Sequence, residues 1–210
     1  MHRTFRWLLL SLAVVGLAAD QSSKYLVFRW LYNSGPLDST NSNSFEVVPG
    51  HFKLIAQFNP NRQFCDCGFS CLQSWSAPVM PHVNQGALFG MFGDHRSTAN
   101  GVFAAVSVLA AIGILAWGLR RNTAREPWLM GSLGLILAGT IGNFYDRIVF
   151  NGVRDFLYLY DPINYPVFNI ADCCLVVGAI LLFFQAVWMK PADEKPAEAQ
   201  ATVVPEAPKA

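Results

Sequence analysis

The stretch Val167-Phe-Asn-Ile-Ala-Asp-Cys-Cys-Leu-Val-Val-Gly-Ala-Ile-Leu-Leu-Phe-Phe-Gln-Ala-Val-Trp-Met189 decides the architecture. It is long enough and apolar enough to cross a bilayer, whose hydrocarbon core takes about 20 residues of helix. Its one charged residue, Asp172, lies near the start. Three other apolar blocks precede it: Phe5 to Ala19, Val102 to Leu119 and Trp128 to Gly142. The first and third are short for a span, but each runs on into mixed sequence that extends the helix into the headgroup region. Only 14% of residues are charged, against roughly 25% in soluble domains. The net charge of +1 gives no reason to expect a nucleic-acid partner.

The first block also has the form of a secretory signal peptide. His2, Arg3 and Arg6 precede an apolar core that ends in Leu17-Ala18-Ala19. Three further spans and the polar segment Asp20 to Lys24 favour its retention as span one. Basic residues then orient the chain. Arg3 and Arg6 precede span one, Arg120, Arg121 and Arg125 fill the short loop between spans two and three, and Lys190 and Lys195 follow span four. The positive-inside rule makes these segments cytoplasmic. The expected fold is therefore an all-α membrane protein of four transmembrane helices with both termini cytoplasmic. A small β-structure on the outer face, between spans one and two, is expected from Phe45 to Phe58, which is strand-like around Pro49-Gly50. Residues 1–190 form the expected membrane domain. Residues 191–210, rich in Pro, Ala and Glu, read as a disordered cytoplasmic tail.

This topology brings polar residues to one level. At about 1.5 Å per residue, span one climbs about 24 Å from Phe5 to Asp20, near the outer edge of the hydrocarbon. Span three delivers Asn143, Asp146 and Arg147 to the same edge. Asp172 lies about 6–8 Å into span four. Asp155 stands in the outer segment before it, and Asn84 in the outer loop before span two. Ionisable groups at this depth are costly and suggest a functional site. For Asp20, Lys24, Asp146 and Arg147 taken singly, a structural role serves equally well, with Asp146 pairing Arg147 and Asp20 lying near Lys24. Asp172, set among Phe168, Ile170, Ala171 and Cys173-Cys174, needs a partner. Depth leaves Asp146 and Asp155 as rivals for that place.

The remaining chemistry is sparse. His2, His51, His82 and His95 all lie outside the spans, and no serine elbow, zinc helix or phosphate loop occurs. Ser22 or Ser23 with Lys24 makes a poor nucleophile pair, because adjacent helical residues do not face one another. Cys65, Cys67 and Cys71 lack a fourth ligand at zinc spacing and read as a disulfide or free thiols. No metal or other cofactor is expected. Two neighbouring carboxylates cannot both ionise readily, so one can accept a proton from water while the other donates to a carbonyl oxygen. The rival class is a small transporter or channel component with a carboxylate proton relay. Such a site is expected near mid-membrane with access from both sides, whereas this cluster is confined to the outer level.

Five blocks in order resemble the lipoprotein signal peptidase, or signal peptidase II, family. They are Asp20-Gln-Ser-Ser-Lys24, Asn84-Gln-Gly-Ala-Leu-Phe-Gly90, Gly142-Asn-Phe-Tyr-Asp-Arg147, Val153-Arg-Asp-Phe156 and Phe168-Asn-Ile-Ala-Asp172. They match Asp-x-x-Thr/Ser-Lys, Asn-x-Gly-Ala-x-Phe, Gly-Asn-x-x-Asp-Arg, Val-x-Asp-Phe and Phe-Asn-x-Ala-Asp. The resemblance implies a monomeric aspartic endopeptidase of the bacterial inner membrane, with its active site at the outer face. The catalytic pair falls on Asp155 and Asp172. Asp20, Lys24, Asn84, Asn143, Asp146, Arg147 and Asn169 fall on positions that bind substrate or support the site. The implied substrate is a prolipoprotein bearing diacylglycerol on its cysteine, cut just before that residue, with membrane lipid around it. One departure from the family pattern is a stretch of about Asn59 to Val83, which reads as an inserted outer loop.

Overall fold

The computed structural model describes residues 4–61, 79–86 and 96–188. Cys65, Cys67 and Cys71 of the expected inserted loop, and the expected tail, lie outside the described residues. Four helices carry the fold: α1 (Arg6–Asn33), α2 (Arg96–Gly118), α3 (Pro127–Val149) and α4 (Ile170–Trp188). Within them Thr98–Gly118, Pro127–Val149 and Ile170–Trp188 are long and apolar enough to cross a membrane. Helix α1 is the longest and carries Arg6, Asp20, Lys24 and Arg29, so it is less apolar than the others. It also continues unbroken past the apolar block that ends at Ala19.

The buried residues of α1 are Leu9, Ala13, Asp20, Lys24, Phe28 and Leu31. Their spacing of three, four or seven makes one stripe along the helix. Asp20 and Lys24 therefore face the interior by the same periodicity that buries Leu9 and Phe28. Helix α3 lies at the centre and packs against α1, α2 and α4. Close approach depends on glycine. A Cβ at Gly139 would collide with the carbonyl oxygen of Ala171 on α4, and one at Gly142 would lie 2.7 Å from Oδ2 of Asp20. Small residues of this kind let membrane helices approach backbone to backbone.

Pro127 opens α3 at a position where its missing N–H costs nothing. A short turn of 3-10 helix, Thr123–Arg125, precedes it. The start of α1 is tied to this connection: Arg6 Nη2 donates to the Leu119 carbonyl at 2.8 Å, and the Phe5 N–H to that of Ala124 at 2.6 Å. Arg6 and the basic connection between α2 and α3 thus lie at one end of the bundle.

The other end carries an antiparallel sheet. Strands β1 (Ser42–Val48) and β2 (Phe52–Asn59) form a hairpin, turned at Gly50, whose φ of +83° is open to glycine at no steric cost. On its other edge β2 pairs with β3 (Met80–Pro81) at Phe58 and Asn59, and with β4 (Leu157–Leu159) at Phe52 to Leu54. The last residues of the expected insertion are therefore part of the sheet: Met80 and Val83 are buried in its core.

Two apolar cores result. Leu9, Ala13, Met130, Leu133 and Leu137 pack α1 on α3 at the Arg6 end. Phe28, Leu31, Ala56, Phe58, Val149, Phe150 and Phe156 join the far ends of these helices to the sheet. Between them lies a polar layer.

Candidate active site

Helix α4 begins with a reciprocal cap. Asn169 Oδ1 accepts the N–H of Asp172 at 3.1 Å, and Asp172 Oδ2 accepts the N–H of Asn169 at 3.2 Å. This is a capping box, in which the side chains at the cap and three residues on satisfy each other's exposed N–H groups. The same cap fixes Asp172 in the first turn and leaves the Asn169 amide free to reach outward. Its Nδ2 donates to Asp155 Oδ1 at 2.7 Å and to Asn143 Oδ1 at 3.2 Å. Asn143, on α3, donates to Asp172 Oδ1 at 2.8 Å. Asn84 Nδ2 donates to Asp155 Oδ2 at 3.2 Å. Each of the two carboxylates thus receives two N–H donors, and Asn169 serves both.

Asp155 is delivered by an extended segment. The N–H and carbonyl of Val153 exchange hydrogen bonds with those of Asn84, at 2.7 and 2.8 Å, and the Phe156 carbonyl accepts from Ile55 N–H at 2.9 Å. Strands β3 and β4 leave an opening along β2 between them. Into it faces a cavity of about 260 Å³ lined by Ile55, Gln57, His82, Asn84, Asp155 and Val167. Burial pushes the Asp155 carboxyl up to about 7; the charge of Asp172 adds to this, and the Asn169 and Asn84 donors and the Lys24 charge oppose it.

A second group of carboxylates lies deeper. Asp20, Lys24, Asp146 and Arg154 are all 0% exposed. Lys24 Nζ contacts Asp20 Oδ2 at 2.8 Å and Asp146 Oδ2 at 3.4 Å. Arg154 grips Asp146 with Nη2 on Oδ1 at 2.8 Å and Nε on Oδ2 at 3.2 Å. Asp20 Oδ1 accepts the Ala171 N–H at 2.9 Å, linking α1 to the start of α4. Gln21 donates to Asp20, Asp146 and the Gly142 carbonyl. Lys24 also donates to Asn143 Oδ1 at 3.3 Å, which joins this group to the first.

The anticipated Asp146–Arg147 pair is not formed. Asp146 turns to Lys24 and Arg154, because α3 presents its buried face to α1 while Arg147 projects toward Phe103, whose ring centroid lies 5.0 Å away. Among the described residues, Arg147 Nε and Nη1 are buried without a hydrogen-bond partner, in the field of Asp155 and Asp172. Eight of the nine residues read from the sequence as site residues are joined by contacts into two adjoining clusters, and Arg147 stands beside them in the field of Asp155 and Asp172. Two members were missed. Arg154 and Gln21 occupy variable positions of quoted motifs, and the adjacent Arg147 hid the need for a second cation on Asp146.

These features define a helical membrane protein with a carboxylate pair held by amides beside an open cavity. The model of the family described as Signal peptidase (SPase) II matches residues 12–188, and the chain belongs to that family. It is accordingly a membrane peptidase that acts on signal peptides, and the transport reading is not favoured. The lipoprotein signal peptidase of Rhodopirellula baltica is 34% identical over 192 residues, covering 85% of this chain and 71% of that protein. That of Symbiobacterium thermophilum is 34% identical over 177 residues, covering 84% and 91%. A solved bacterial membrane enzyme, determined by the in meso method at 1.9 Å, shares the fold with a TM-score of 0.64 and 22% identity, over 90% of this chain and 99% of that one.

Proposed function

We propose that this chain is an aspartic endopeptidase that removes the signal peptide from diacylglyceryl-modified prolipoproteins, cutting before the lipidated cysteine, with Asp155 and Asp172 as the catalytic pair. One observation carries the assignment. Asp155 lines the cavity, and Asp155 and Asp172 are both held by Asn169 and receive only neutral donors among the described residues, whereas Asp20 and Asp146 are sealed against cations. A carboxylate pair without a counter-ion retains a proton to trade. In the proposed reaction the ionised partner takes a proton from water as that water attacks the scissile carbonyl. The protonated partner hydrogen-bonds the carbonyl oxygen as it gains charge, then a proton passes to the leaving nitrogen. The pair titrates as a unit. Arg147 and Asn84 orient the substrate backbone.

The wider reading follows from depth and charge. α1 is the first of four spans, the termini are cytoplasmic, and the site lies at the outer face of the bacterial inner membrane, where a lipidated cysteine sits among membrane lipid. Residues 1–190 act as one monomeric protease unit, with 59–83 added to its outer loop and 191–210 as a cytoplasmic tail. The test is a gel-shift assay on a lipid-modified prolipoprotein. Wild type cleaves it; Asp155→Asn and Asp172→Asn, folded and membrane-inserted, leave it intact. Full turnover by either variant would sink the pair. Turnover lost in Asp146→Asn but kept in Asp155→Asn would move the assignment to Asp146.

A further inference from the structure

Arg154 stands at the position that Val-x-Asp-Phe leaves open, directly before Asp155. Consecutive side chains of an extended segment point to opposite faces, so Asp155 faces the cavity while Arg154 enters the dry layer. There the guanidinium is held at Nε, at Nη2 and by two aromatic rings, while Nη1 is buried with no hydrogen-bond partner among the described residues. It forks onto Asp146, its Nη2 donates to Gln21 Oε1 at 2.9 Å, and its Cζ lies 4.3 and 3.9 Å from the ring centroids of Tyr25 and Phe150. The N–H of Arg154 itself donates to Asp146 Oδ2 at 2.9 Å. Main chain and side chain of one residue therefore clamp the same carboxylate. The peptide leading into Asp155 is fixed to α3, and α3 also supplies Asn143 to Asp172. A planar fork stacked on aromatic rings sets an orientation that a single ammonium does not.

We propose that Arg154 is a positioning residue for the reaction, fixing Asp155 relative to Asp172 through Asp146. The proposal rests on the assignment of Asp155 to the catalytic pair. Arg154 also balances charge: without it Asp20, Lys24 and Asp146 would bury a net negative charge. A stability role alone and a positioning role are separated by Arg154→Lys, which keeps the charge and discards the fork. Gln21→Met withdraws the acceptor for Nη2, together with the amide donor to Asp20, Asp146 and the Gly142 carbonyl, and changes no charge.

The experiment compares full-length wild type, Arg154→Lys, Gln21→Met and Asp155→Asn in detergent on a lipid-modified prolipoprotein. Rates are referred to the monodisperse folded fraction, with a thermal melt for each. A displacement near 1 Å at a reacting group costs up to about 100-fold in rate. Arg154→Lys should lose about tenfold or more in kcat, with KM within about threefold and a melt near wild type. Gln21→Met should lose less, in the same direction. Wild-type kcat in both, or a loss confined to KM, overturns the positioning role. If Asp155→Asn is inactive while both variants match wild type, only this proposal fails. If Asp155→Asn is active, the pair itself is wrong.

Discussion

Four aspartates lie around Asn143, and they divide two and two. Asp20 and Asp146 are sealed from solvent and held by Lys24 and Arg154. Asp155 and Asp172 are only partly buried, make no ion pair among the described residues, and are held by the amides of Asn84, Asn143 and Asn169. The first arrangement matches its buried carboxylates with cations. The second holds two carboxylates in register while leaving their protonation free to change. The identity of the donors distinguishes the pairs. The difference predicts that the dry pair governs stability and the open pair governs rate.

The widest separation should come from single amide replacements. Asp155→Asn and Asp172→Asn should each lower turnover at least ~1,000-fold, with a melt no lower than wild type, since each removes a charge that no cation compensates. Asp146→Asn should act in the opposite sense. It leaves Lys24 and Arg154 buried with Asp20 as their one remaining anion, and breaking a buried pair costs about 3–5 kcal/mol. Thermal melting in detergent, run beside the cleavage assay, reads both axes. A stable Asp146→Asn protein with no activity would break the division.

Asn169 belongs to both functions, so its removal should be intermediate. Asn169→Ala loses the cap on α4, worth about 1 kcal/mol, and also the Nδ2 donor to Asp155, while the backbone N–H to Asp172 remains. Turnover should fall roughly 10- to 100-fold, with a modest drop in melting temperature. Asn169→Asp restores an acceptor for the Asp172 N–H but adds charge between the carboxylates, so stability at neutral pH should not recover. Rate and melt measured on both variants separate capping from bridging.

The sequence carried most of this architecture because the spans are long and apolar and the β1–β2 hairpin turns at Pro49-Gly50. It also placed the polar residues at one level, since rise per residue is fixed in a helix. It could not pair them. Asp146 has a basic neighbour in Arg147, and local sequence favours that match, but the helix points them to different faces. The true partner, Arg154, reaches Asp146 only after the chain reverses through Asn151 and Gly152, both with positive φ. Nor did the sequence reveal the capping box. Asn169 and Asp172 have the right spacing, yet the apolar run around them drew attention to span four rather than to its first turn.

The smallest effect tests the proton itself. Burial raises the Asp155 carboxyl from the ordinary aspartate value of 3.8 to about 7. The folded protein therefore holds a proton that the unfolded chain has released between those two values. Stability from this group is full below the unfolded pKa and is lost as pH rises through the folded one. Asp155→Asn does not titrate, so its melting temperature should exceed that of wild type by more at pH 8 than at pH 5. Discounted for partial exposure, the difference is about 1 kcal/mol. The same proton should appear in the kinetics. If the one-proton form of the pair is the active one, kcat of wild type declines as pH rises above about 7. Asp146, with its cations beside it, should impose no such limb on the rate. A kcat profile flat from pH 6 to pH 9, alongside a pH-independent melting difference, would mean that the open pair does not trade a proton and that amides alone do not mark the reactive carboxylates.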